Sequence, residues 1–265
     1  MLLVIDAGNT ETVFGLYRGD ALVSRCRMSS HSGRTADEAW VLLKGWCDAE
    51  GLETDGIRNA VISSVVPDLT ALFSDMAVRH LRLRPLVVSS DTDTGVPIRT
   101  DAPATVGADR ICNAAGGIAR YGAPLVVVDF GTAITFDVIS AKGEYLGGAI
   151  CLGLRGAARE LHRVAAKLPR VDIVFPPSAV GRNTESGIQA GLLWGTAAMV
   201  DGLIGRMAAE LNCPDITAVA TGGMADLISS QCARIRHVDP FLTLEGMRII
   251  HGRAATRTEP KSGGV

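Results

Sequence analysis

The sequence predicts an α/β protein made of two related halves. Short apolar runs alternate along the chain with segments of helical periodicity, which is typical of strands covered by helices. In addition, one strand-and-turn pattern occurs twice, at Leu3–Thr10 (LVIDAGNT) and at Val126–Ala133 (VVVDFGTA). Both copies read apolar-Val-apolar-Asp-x-Gly, with Asp6 and Asp129 at matching places. Because each copy opens one half of the chain, we infer a duplicated domain.

The first half begins with a predicted three-stranded meander. Its strands, separated by polar turns, are expected at Leu2–Asp6, Val13–Tyr17 and Ala21–Arg27. The segment Thr35–Glu38 matches a capping box and predicts the start of a helix. The pattern then predicts a strand, a helix and a further strand at Asn59–Ser64, Asp68–Leu81 and Pro85–Ser89.

The second half follows a loop that is rich in Asp, Thr, Gly and Pro, at Ser90–Pro103, which we expect to connect two lobes. Its predicted elements are a helix at Val106–Arg120, strands from Pro124 onward, a long helix at Gly187–Leu211 and a strand at Thr217–Thr221. We therefore predict an N-terminal lobe at 1–104, a C-terminal lobe at 105–252 and a flexible tail at 253–265, where the sequence is basic and polar.

Composition narrows the functional class. With 28 acidic and 26 basic residues, the chain has no broad positive field for nucleic acid. The apolar start Met1–Ile5 is too short for a signal peptide, and no run approaches the length of a membrane span. Six widely spaced cysteines are typical of reduced thiols, and the histidines lack zinc-site spacing. We expect a cytoplasmic protein that binds neither nucleic acid nor membrane.

The two Asp-x-Gly turns are candidate phosphate-binding elements. Glycine lets the backbone approach an anion, and the amides of a tight turn can donate to it. An Asp would repel phosphate directly, so it would act through a metal ion or an ordered water. A single turn of this kind is equally well read as an ordinary hairpin. The occurrence of two, each after an apolar strand, favours phosphate binding.

A second candidate site is the segment Gly107–Arg110, at the start of a predicted helix. The helix dipole favours a negative charge there, so Asp109 is expected to stay ionised. Asp109 could accept the proton of an attacking hydroxyl, and the forked guanidinium of Arg110 suits an anionic group. The alternative is a helix-start Asp beside a solvated Arg. The glycine pair Gly222–Gly223 is read either as a turn or as a place where the backbone approaches a nucleotide.

At these residues the chain resembles the type III pantothenate kinases, which belong to the superfamily of actin-like ATPases and of sugar and acetate kinases. The resemblance runs in family order from residue 2 to about 250. The matching motifs are DAGNT at Asp6, SSVVP at Ser63, GADR at Gly107, DFGTA at Asp129, GG-A-I at Gly147, AKLPRV at Ala166, G-R-N-T at Gly181, TGG at Thr221 and LTLEGM at Leu242. It implies duplicated ribonuclease-H-like (actin-like) lobes with a central cleft.

The resemblance also implies an activity, the ATP-dependent phosphorylation of pantothenate to 4'-phosphopantothenate, the first step of coenzyme A biosynthesis. The residues implied in ATP binding are Asp6, Ala7, Gly8, Asn9, Thr10, Glu11, Thr12, Val13 and Thr132. Those implied in pantothenate binding are Gly107, Ala108, Asp109, Arg110 and Thr184, with Asp109 as the catalytic base. Asp129 matches the position that binds potassium or ammonium, magnesium is the implied divalent ion, and the family is homodimeric.

Three positions depart from the family pattern. Leu152 stands before Gly153 where proline is usual, Thr100 replaces a common tyrosine, and Ile134 replaces a common threonine. Two alternatives therefore remain open. The chain could be a kinase of the same fold for another small alcohol, or a degenerate member that binds nucleotide as a regulatory protein.

Overall fold

The computed structural model describes residues 1–31, 33–165 and 167–258, with side chains described up to residue 255. Ala166, the first residue of one matched motif, and residues 259–265 lie outside this part. The described chain divides into two compact units. The first comprises Met1–Ala119 together with the residues from Leu242 onward, and the second comprises Arg120–Phe241.

Each unit contains one five-stranded sheet. The strands of the first unit are β1 (Leu2–Ala7), β2 (Glu11–Arg18), β3 (Ala21–Ser29), β4 (Asn59–Ser64) and β5 (Leu86–Val87). The strands of the second unit are β6 (Leu125–Phe130), β7 (Ala133–Ile139), β8 (Tyr145–Leu152), β9 (Thr217–Thr221) and β10 (His237–Val238).

The helices follow the predicted alternation. They are α1 (Ala36–Ala49), α2 (Pro67–Met76), α3 (Ala108–Tyr121), α4 (Leu154–Val164), α5 (Thr184–Glu210), α6 (Ala225–Ser229) and α7 (Leu242–Thr258). The predicted capping box is present at the start of α1, where Thr35 and Glu38 bond each other's backbone N–H groups. The helix predicted to run to Leu81 changes at Ala77 into a π-helical turn, Ala77–Leu81, so α2 itself is shorter than predicted.

The two sheets have the same topology, and the α/β fold class predicted from the repeat is confirmed. In the first sheet the order is β3-β2-β1-β4-β5, and in the second it is β8-β7-β6-β9-β10. In both sheets the first three strands form an antiparallel meander, and the last two lie parallel to its first strand. The two Asp-x-Gly patterns therefore lie at the same place in each sheet, at the end of its central strand.

Each sheet is covered by helices over its own apolar core. In the first unit, side chains such as Leu3, Ile5 and Phe14 pack with Leu43 and Phe73 from α1 and α2. The core of the second unit is formed by β6, β7 and β9 together with α5. These cores hold the central strands β1 and β6 rigidly, which fixes where the strands end.

The division of the chain differs from the one predicted at residue 104. The segment Ser90–Pro103, read from sequence as the inter-lobe loop, lies within the first unit, and so does α3 up to Ala119. Helix α7 also belongs to the first unit, where it packs against β1 and β4. Two glycines permit a close crossing of α3 and α7. A Cβ on Gly246 would overlap the carbonyl oxygen of Cys112, and one on Gly116 would lie 2.6 Å from the carbonyl oxygen of Leu242.

The C-terminal segment also differs from the prediction. Helix α7 continues to Thr258, so residues 253–258 are helical where a flexible tail was predicted from residue 253. Helical periodicity is weak in this stretch because it is rich in Arg, Ala and Thr, which explains why the sequence alone suggested a tail. The remainder of the predicted tail lies outside the described residues.

Among the described residues, α5 is the one helix long and apolar enough to cross a membrane by length and composition. Core helices of globular proteins pass the same test. Part of α5 packs in the core of the second unit, through Leu193, Ala197, Val200 and Ile204.

Candidate active site

The Asp-x-Gly turn of the first unit is a tight hairpin between β1 and β2. The Gly8 N–H donates to the carbonyl oxygen of Glu11 at 3.0 Å, and a Cβ on Gly8 would lie only 3.1 Å from that oxygen. Ser30, just after β3, holds the tip from the side. Its hydroxyl donates to the Gly8 carbonyl at 2.6 Å, and its N–H donates to the Thr10 carbonyl at 2.9 Å. The hairpin is thus fixed from within its own sheet.

The residues at the hairpin tip are accessible to a ligand. Asn9, Thr10 and Glu11 are exposed. The Glu11 carboxylate forms a salt bridge with Arg27 at 3.3 Å, across β2 and β3. The sequence assigned all three to ATP binding. Their positions suit contact through the backbone and the Asn9 and Thr10 side chains, whereas the Glu11 side chain is directed to its neighbour strand.

The side chains of other residues in the same motif stabilise the hairpin. Ala7 and Thr12 are each only 1% exposed, and Val13 is half-buried. The Thr12 hydroxyl is hydrogen-bonded to the Ser30 hydroxyl at 2.9 Å. The side chains of Ala7 and Thr12 therefore pack inside the protein beneath the hairpin, where they are not accessible to a nucleotide.

Asp6, the first residue of the motif, lies at the carboxyl end of β1 beside β4. The parallel register places Asp6 opposite Ser63. The Ser63 hydroxyl donates to Asp6 Oδ1 at 3.1 Å, and Ser63 is completely buried. A neutral donor thus holds one oxygen of this carboxylate.

The second predicted site lies at the start of α3. Asp109 Oδ1 accepts a hydrogen bond from the Arg110 N–H at 2.8 Å. A Cβ on Gly107 would stand 2.5 Å from the same oxygen, so glycine leaves the space that this carboxylate occupies. Ala108 is buried against the rest of the unit. The four predicted residues Gly107–Arg110 therefore form one local structure that sets the position of the Asp109 carboxylate.

The electrostatics of Asp109 differ from the sequence-based expectation. Burial raises the pKa of its carboxyl above the usual value, and the Arg110 N–H and guanidinium only partly offset this effect. The helix-start position alone had suggested a carboxylate that is readily ionised. Desolvation outweighs it here because the side chain is largely surrounded by protein. A carboxylate with a raised pKa is a stronger proton acceptor, which is the property required of a general base.

Asp6 and Asp109 both act electrostatically on one buried thiol. Cys112 follows Asp109 by one helical turn on α3 and is inaccessible to solvent. Burial raises the pKa of the Cys112 thiol far above its usual value, and the negative charges of Asp6 and Asp109 raise it further, while Ser63 opposes the rise. The thiol therefore stays neutral.

Helix α7 holds α3 at this position. Asn113, the residue after Cys112, is fully buried, and its Oδ1 accepts a hydrogen bond from the Thr243 hydroxyl at 2.7 Å. This bond and the close crossing at Gly246 fix the first turns of α3. Asp109 is therefore held by packing from the C-terminal helix.

One departure from the family pattern also lies in the first unit. The Thr100 hydroxyl oxygen is buried, and within the described part of the chain it has no hydrogen-bond partner. Such groups are rare in folded proteins. The position is therefore open to a hydrogen bond with a bound molecule or a water.

In the second unit, Asp129 occupies the position that corresponds to Asp6. It is the second-to-last residue of β6, and the parallel register places it opposite Thr221 of β9. The next residue, Gly222, has φ +92°, and a Cβ there would overlap Asp129 Oδ1. The carboxylate therefore lies directly against the backbone of the Gly222 turn. Gly222 and Gly223 form a turn, the first of the two readings given from the sequence, and this turn packs against Asp129.

Thr132 lies at the tip of the second hairpin and is exposed. Its carbonyl oxygen accepts a hydrogen bond from the Gly153 N–H at 3.2 Å, and a Cβ on Gly153 would overlap that oxygen. Leu152, which replaces the usual proline, ends β8 with its side chain 60% exposed. Gly153 is thus the residue that supports this hairpin.

Thr184 lies on a different element of the second unit, as the first residue of α5. Asn183 caps the helix by accepting from the Ser186 N–H at 2.8 Å, and a Cβ on Gly181 would overlap the Gly187 N–H. The start of α5 therefore accounts for two residues of the G-R-N-T motif, since Gly181 allows the close approach to Gly187 and Asn183 caps the helix. Thr184 itself is exposed and is available to a ligand.

Sequence reasoning assigned no role to Ser30, Ser63 or Cys112. Ser63 lies near the end of β4, and only the register of β4 with β1 brings it opposite Asp6. Cys112 had a weak signal, its spacing of one helical turn from Asp109. Ser30 had none, since only the strand register brings it to the hairpin tip.

The described residues contain no group of three or more His, Cys, Asp or Glu side chains arranged to hold a metal ion. Magnesium does not require one, because it commonly keeps several waters and binds one or two carboxylates together with substrate phosphates. Asp6 fits that requirement. Asp129, packed on a glycine turn whose carbonyl groups are oxygen donors, fits a monovalent cation.

Comparison with known proteins identifies the family. Residues 2–206 match the family model described as type III pantothenate kinase. The chain is 47% identical over 253 residues to the type III pantothenate kinase of Myxococcus xanthus (strain DK1622), covering 96% of this chain and 98% of that protein. The match therefore extends over nearly the full length of both chains.

Solved structures show the fold alone, since their identities are low. A Campylobacter jejuni protein assigned to the Baf family of transcriptional activators superposes with a TM-score of 0.62 at 16% identity, covering 96% of this chain and 99% of that one. An inorganic polyphosphate/ATP-glucomannokinase from Arthrobacter sp. strain KM gives a TM-score of 0.50 at 16% identity, covering 97% and 98%. The fold is thus shared with sugar kinases.

Proposed function

The chain belongs to the type III pantothenate kinase family, and from this premise we propose how its residues carry out the ATP-dependent phosphorylation of pantothenate in coenzyme A biosynthesis. The observation that carries the proposal is the Asp109 carboxylate at the start of α3, held by the Arg110 N–H at 2.8 Å in the space that Gly107 leaves open. In the same unit, Asp6 stands directly before a phosphate-type hairpin.

Asp109 is the general base in this proposal. It accepts the proton of the primary hydroxyl as that oxygen attacks the γ-phosphorus, and the bond to the β–γ bridging oxygen breaks so that ADP leaves. The raised pKa of the Asp109 carboxyl supports this role, because it makes the carboxylate a better proton acceptor. Arg110 binds the pantothenate carboxylate through its planar fork. Gly107 and Ala108 shape the local backbone, and Thr184 adds a substrate contact.

ATP is bound by the two Asp-x-Gly hairpins, each in its own unit. Backbone amides of Asn9 and Thr10 donate to phosphate oxygens, with Thr132 contributing from the second hairpin. Asp6 would hold the magnesium ion that accompanies ATP. When bound with ATP, magnesium offsets negative charge on the phosphates, while the protein supplies orientation. Thr12 and Ala7 serve the hairpin itself.

Asp129 holds a monovalent cation, potassium or ammonium. The packing of its carboxylate on the Gly222 turn supports this assignment, because hard cations prefer clustered oxygen ligands. The cation would offset phosphate charge in the second unit. Its proposed role is electrostatic.

The protein is a cytoplasmic homodimer in this proposal. All six cysteines are free thiols, which suits a reducing compartment. The second unit exposes Ile150 and Leu152 on the edge strand β8, at 66% and 60%, and Val164 of α4 at 63%. Such a surface suits a subunit contact. Light scattering of the wild type and of Ile150→Lys tests it, and a monomeric wild type would refute it.

The test of the activity is a coupled ADP-release assay with pantothenate, ATP, magnesium and potassium. We expect turnover that requires pantothenate and that falls by about 10²- to 10⁴-fold in Asp109→Asn. The control is Asp55→Asn, which changes an exposed carboxylate in the same unit and should leave turnover unchanged. Turnover with another small alcohol in place of pantothenate would refute the substrate, and binding of ATP without turnover would refute catalysis.

A further inference from the structure

Ser63 stands out among the buried polar groups for which the proposed mechanism has no use. It is 0% exposed, and its hydroxyl donates to Asp6 Oδ1 at 3.1 Å. The bond joins two adjacent parallel strands at their carboxyl ends, where the register pairs these two residues. Both strands are embedded in the core of the first unit, so the bond has a rigid frame.

The surroundings of Ser63 make its hydroxyl a specific donor. A serine hydroxyl has one proton to give and can also accept. Cys112, a neighbour of Ser63, is fully buried, and burial keeps its thiol neutral. A charged neighbour in that place would compete for the hydroxyl proton. The neutral thiol leaves Asp6 as the charged acceptor that Ser63 faces.

We propose that Ser63 is a positioning residue that fixes the orientation of the Asp6 carboxylate toward the magnesium ion carried by ATP. The inference rests on the proposed function only in that Asp6 acts through this ion. A side chain that hydrogen-bonds a metal-binding carboxylate orients that carboxylate and changes the affinity of the site for the metal. Removing such a side chain changes the metal concentration needed for ligand binding. Removing a purely structural hydrogen bond lowers the stability of the protein instead.

A matched control is available in the next residue. The Ser64 hydroxyl donates to the Val66 carbonyl at 2.9 Å and accepts from the Val66 N–H at 3.1 Å, so it stabilises the turn into α2. Ser63→Ala and Ser64→Ala each remove one hydroxyl from the same strand end. Only the first removes the donor to Asp6.

The experiment is calorimetric titration with a non-hydrolysable ATP analogue at a series of magnesium concentrations, with no pantothenate present. For Ser63→Ala we expect the magnesium concentration at half-maximal analogue binding to rise by about 10- to 100-fold, with metal-free binding unchanged. Ser64→Ala should keep the wild-type magnesium response and lose only thermal stability. Ser63→Thr, which keeps the hydroxyl, should restore the response. If its added methyl group prevents folding, Ser63→Cys, a weak donor, should resemble Ser63→Ala.

An unchanged magnesium response in folded Ser63→Ala would overturn the inference, as would an equal change in Ser64→Ala. The measurement does not involve the phosphate acceptor. If the protein does not phosphorylate pantothenate but its magnesium response depends on Ser63, the substrate assignment is refuted and this inference is supported. If it phosphorylates pantothenate and the magnesium response is unchanged in Ser63→Ala, the function is supported and the positioning role of Ser63 is refuted.

Discussion

The two Asp-x-Gly hairpins occupy the same place in two sheets of the same topology, but their carboxylates have different neighbours. Asp6 accepts a hydrogen bond from a buried side chain, Ser63 of β4. Asp129 packs against the backbone of Gly222, just after β9. Both neighbours come from the strand that is parallel to the central one. The two halves therefore share one sheet topology, whereas the residues at the end of the neighbouring strand determine the surroundings of each Asp carboxylate.

This difference supports separate roles for the two halves. A carboxylate held by a donor has a fixed orientation, which suits contact with one ion at a defined position. A carboxylate against a glycine turn lies near several backbone groups, which suits a larger cation with less directional demands. The following predictions test the contrast between Asp6 and Asp129.

The largest effect is expected from Gly222→Ala. The new Cβ would overlap Asp129 Oδ1 and would stand 2.8 Å from the backbone of Phe130, at a φ of +92°. We expect loss of activation by potassium and a decrease in the free energy of unfolding of at least about 1–3 kcal/mol, from backbone strain alone. Potassium titration of turnover and chemical denaturation measure the two effects.

Gly19→Ala provides the control for that change. Gly19 also has a positive φ, +61°, but no atom lies within 4 Å of a Cβ placed there. It should show the backbone strain without the overlap, and potassium activation should be intact. Equal loss of potassium activation in both variants would show that the packing of Asp129 on Gly222 is unimportant.

A second prediction concerns the pH dependence of the first unit. Burial raises the pKa of the Asp109 carboxyl, and the base works only when ionised. Turnover should therefore be retained at high pH and lost as the pH falls through this raised pKa. The acid limb of kcat/KM should lie above the ordinary Asp value of about 3.9. A limb at or below that value, measured in buffers of constant ionic strength, would contradict a buried base.

The smallest effect is expected from Thr12→Val, which removes the hydroxyl bonded to Ser30 but keeps the side-chain shape. Loss of one such bond costs about 0.5–1.5 kcal/mol of stability. We expect a small decrease in melting temperature and weaker ATP-analogue binding, because the hairpin tip loses a support. Ser24→Ala, which removes a surface hydroxyl from β3, should affect stability at most. Tighter binding in Thr12→Val would argue against a fixed hairpin.

Much of the frame was predictable from the sequence. The strand alternation and the repeated Asp-x-Gly pattern are local signals, and they correctly gave two sheets with matching turns at Asp6 and Asp129. The GADR segment was correctly placed at a helix start. These features depend on residues that are close in sequence, where periodicity and turn chemistry are informative.

The remaining features depend on contacts between distant segments. The return of α7 to the first unit rests on Gly246 and Gly116, whose close crossing has no local signature. The raised pKa of Asp109 depends on burial, which a helix-start position does not reveal. Ser63 became visible as a partner of Asp6 only through the β1–β4 register.

The most direct test of separate roles is turnover of pantothenate, measured as ADP release, for the wild type, Asp109→Asn and Asp129→Asn in potassium, ammonium and sodium. The account predicts that turnover of Asp109→Asn falls by about 10²- to 10⁴-fold with every cation. Asp129→Asn should retain a low turnover that no longer distinguishes potassium or ammonium from sodium. Full cation selectivity in Asp129→Asn, or substantial turnover in Asp109→Asn, would contradict it.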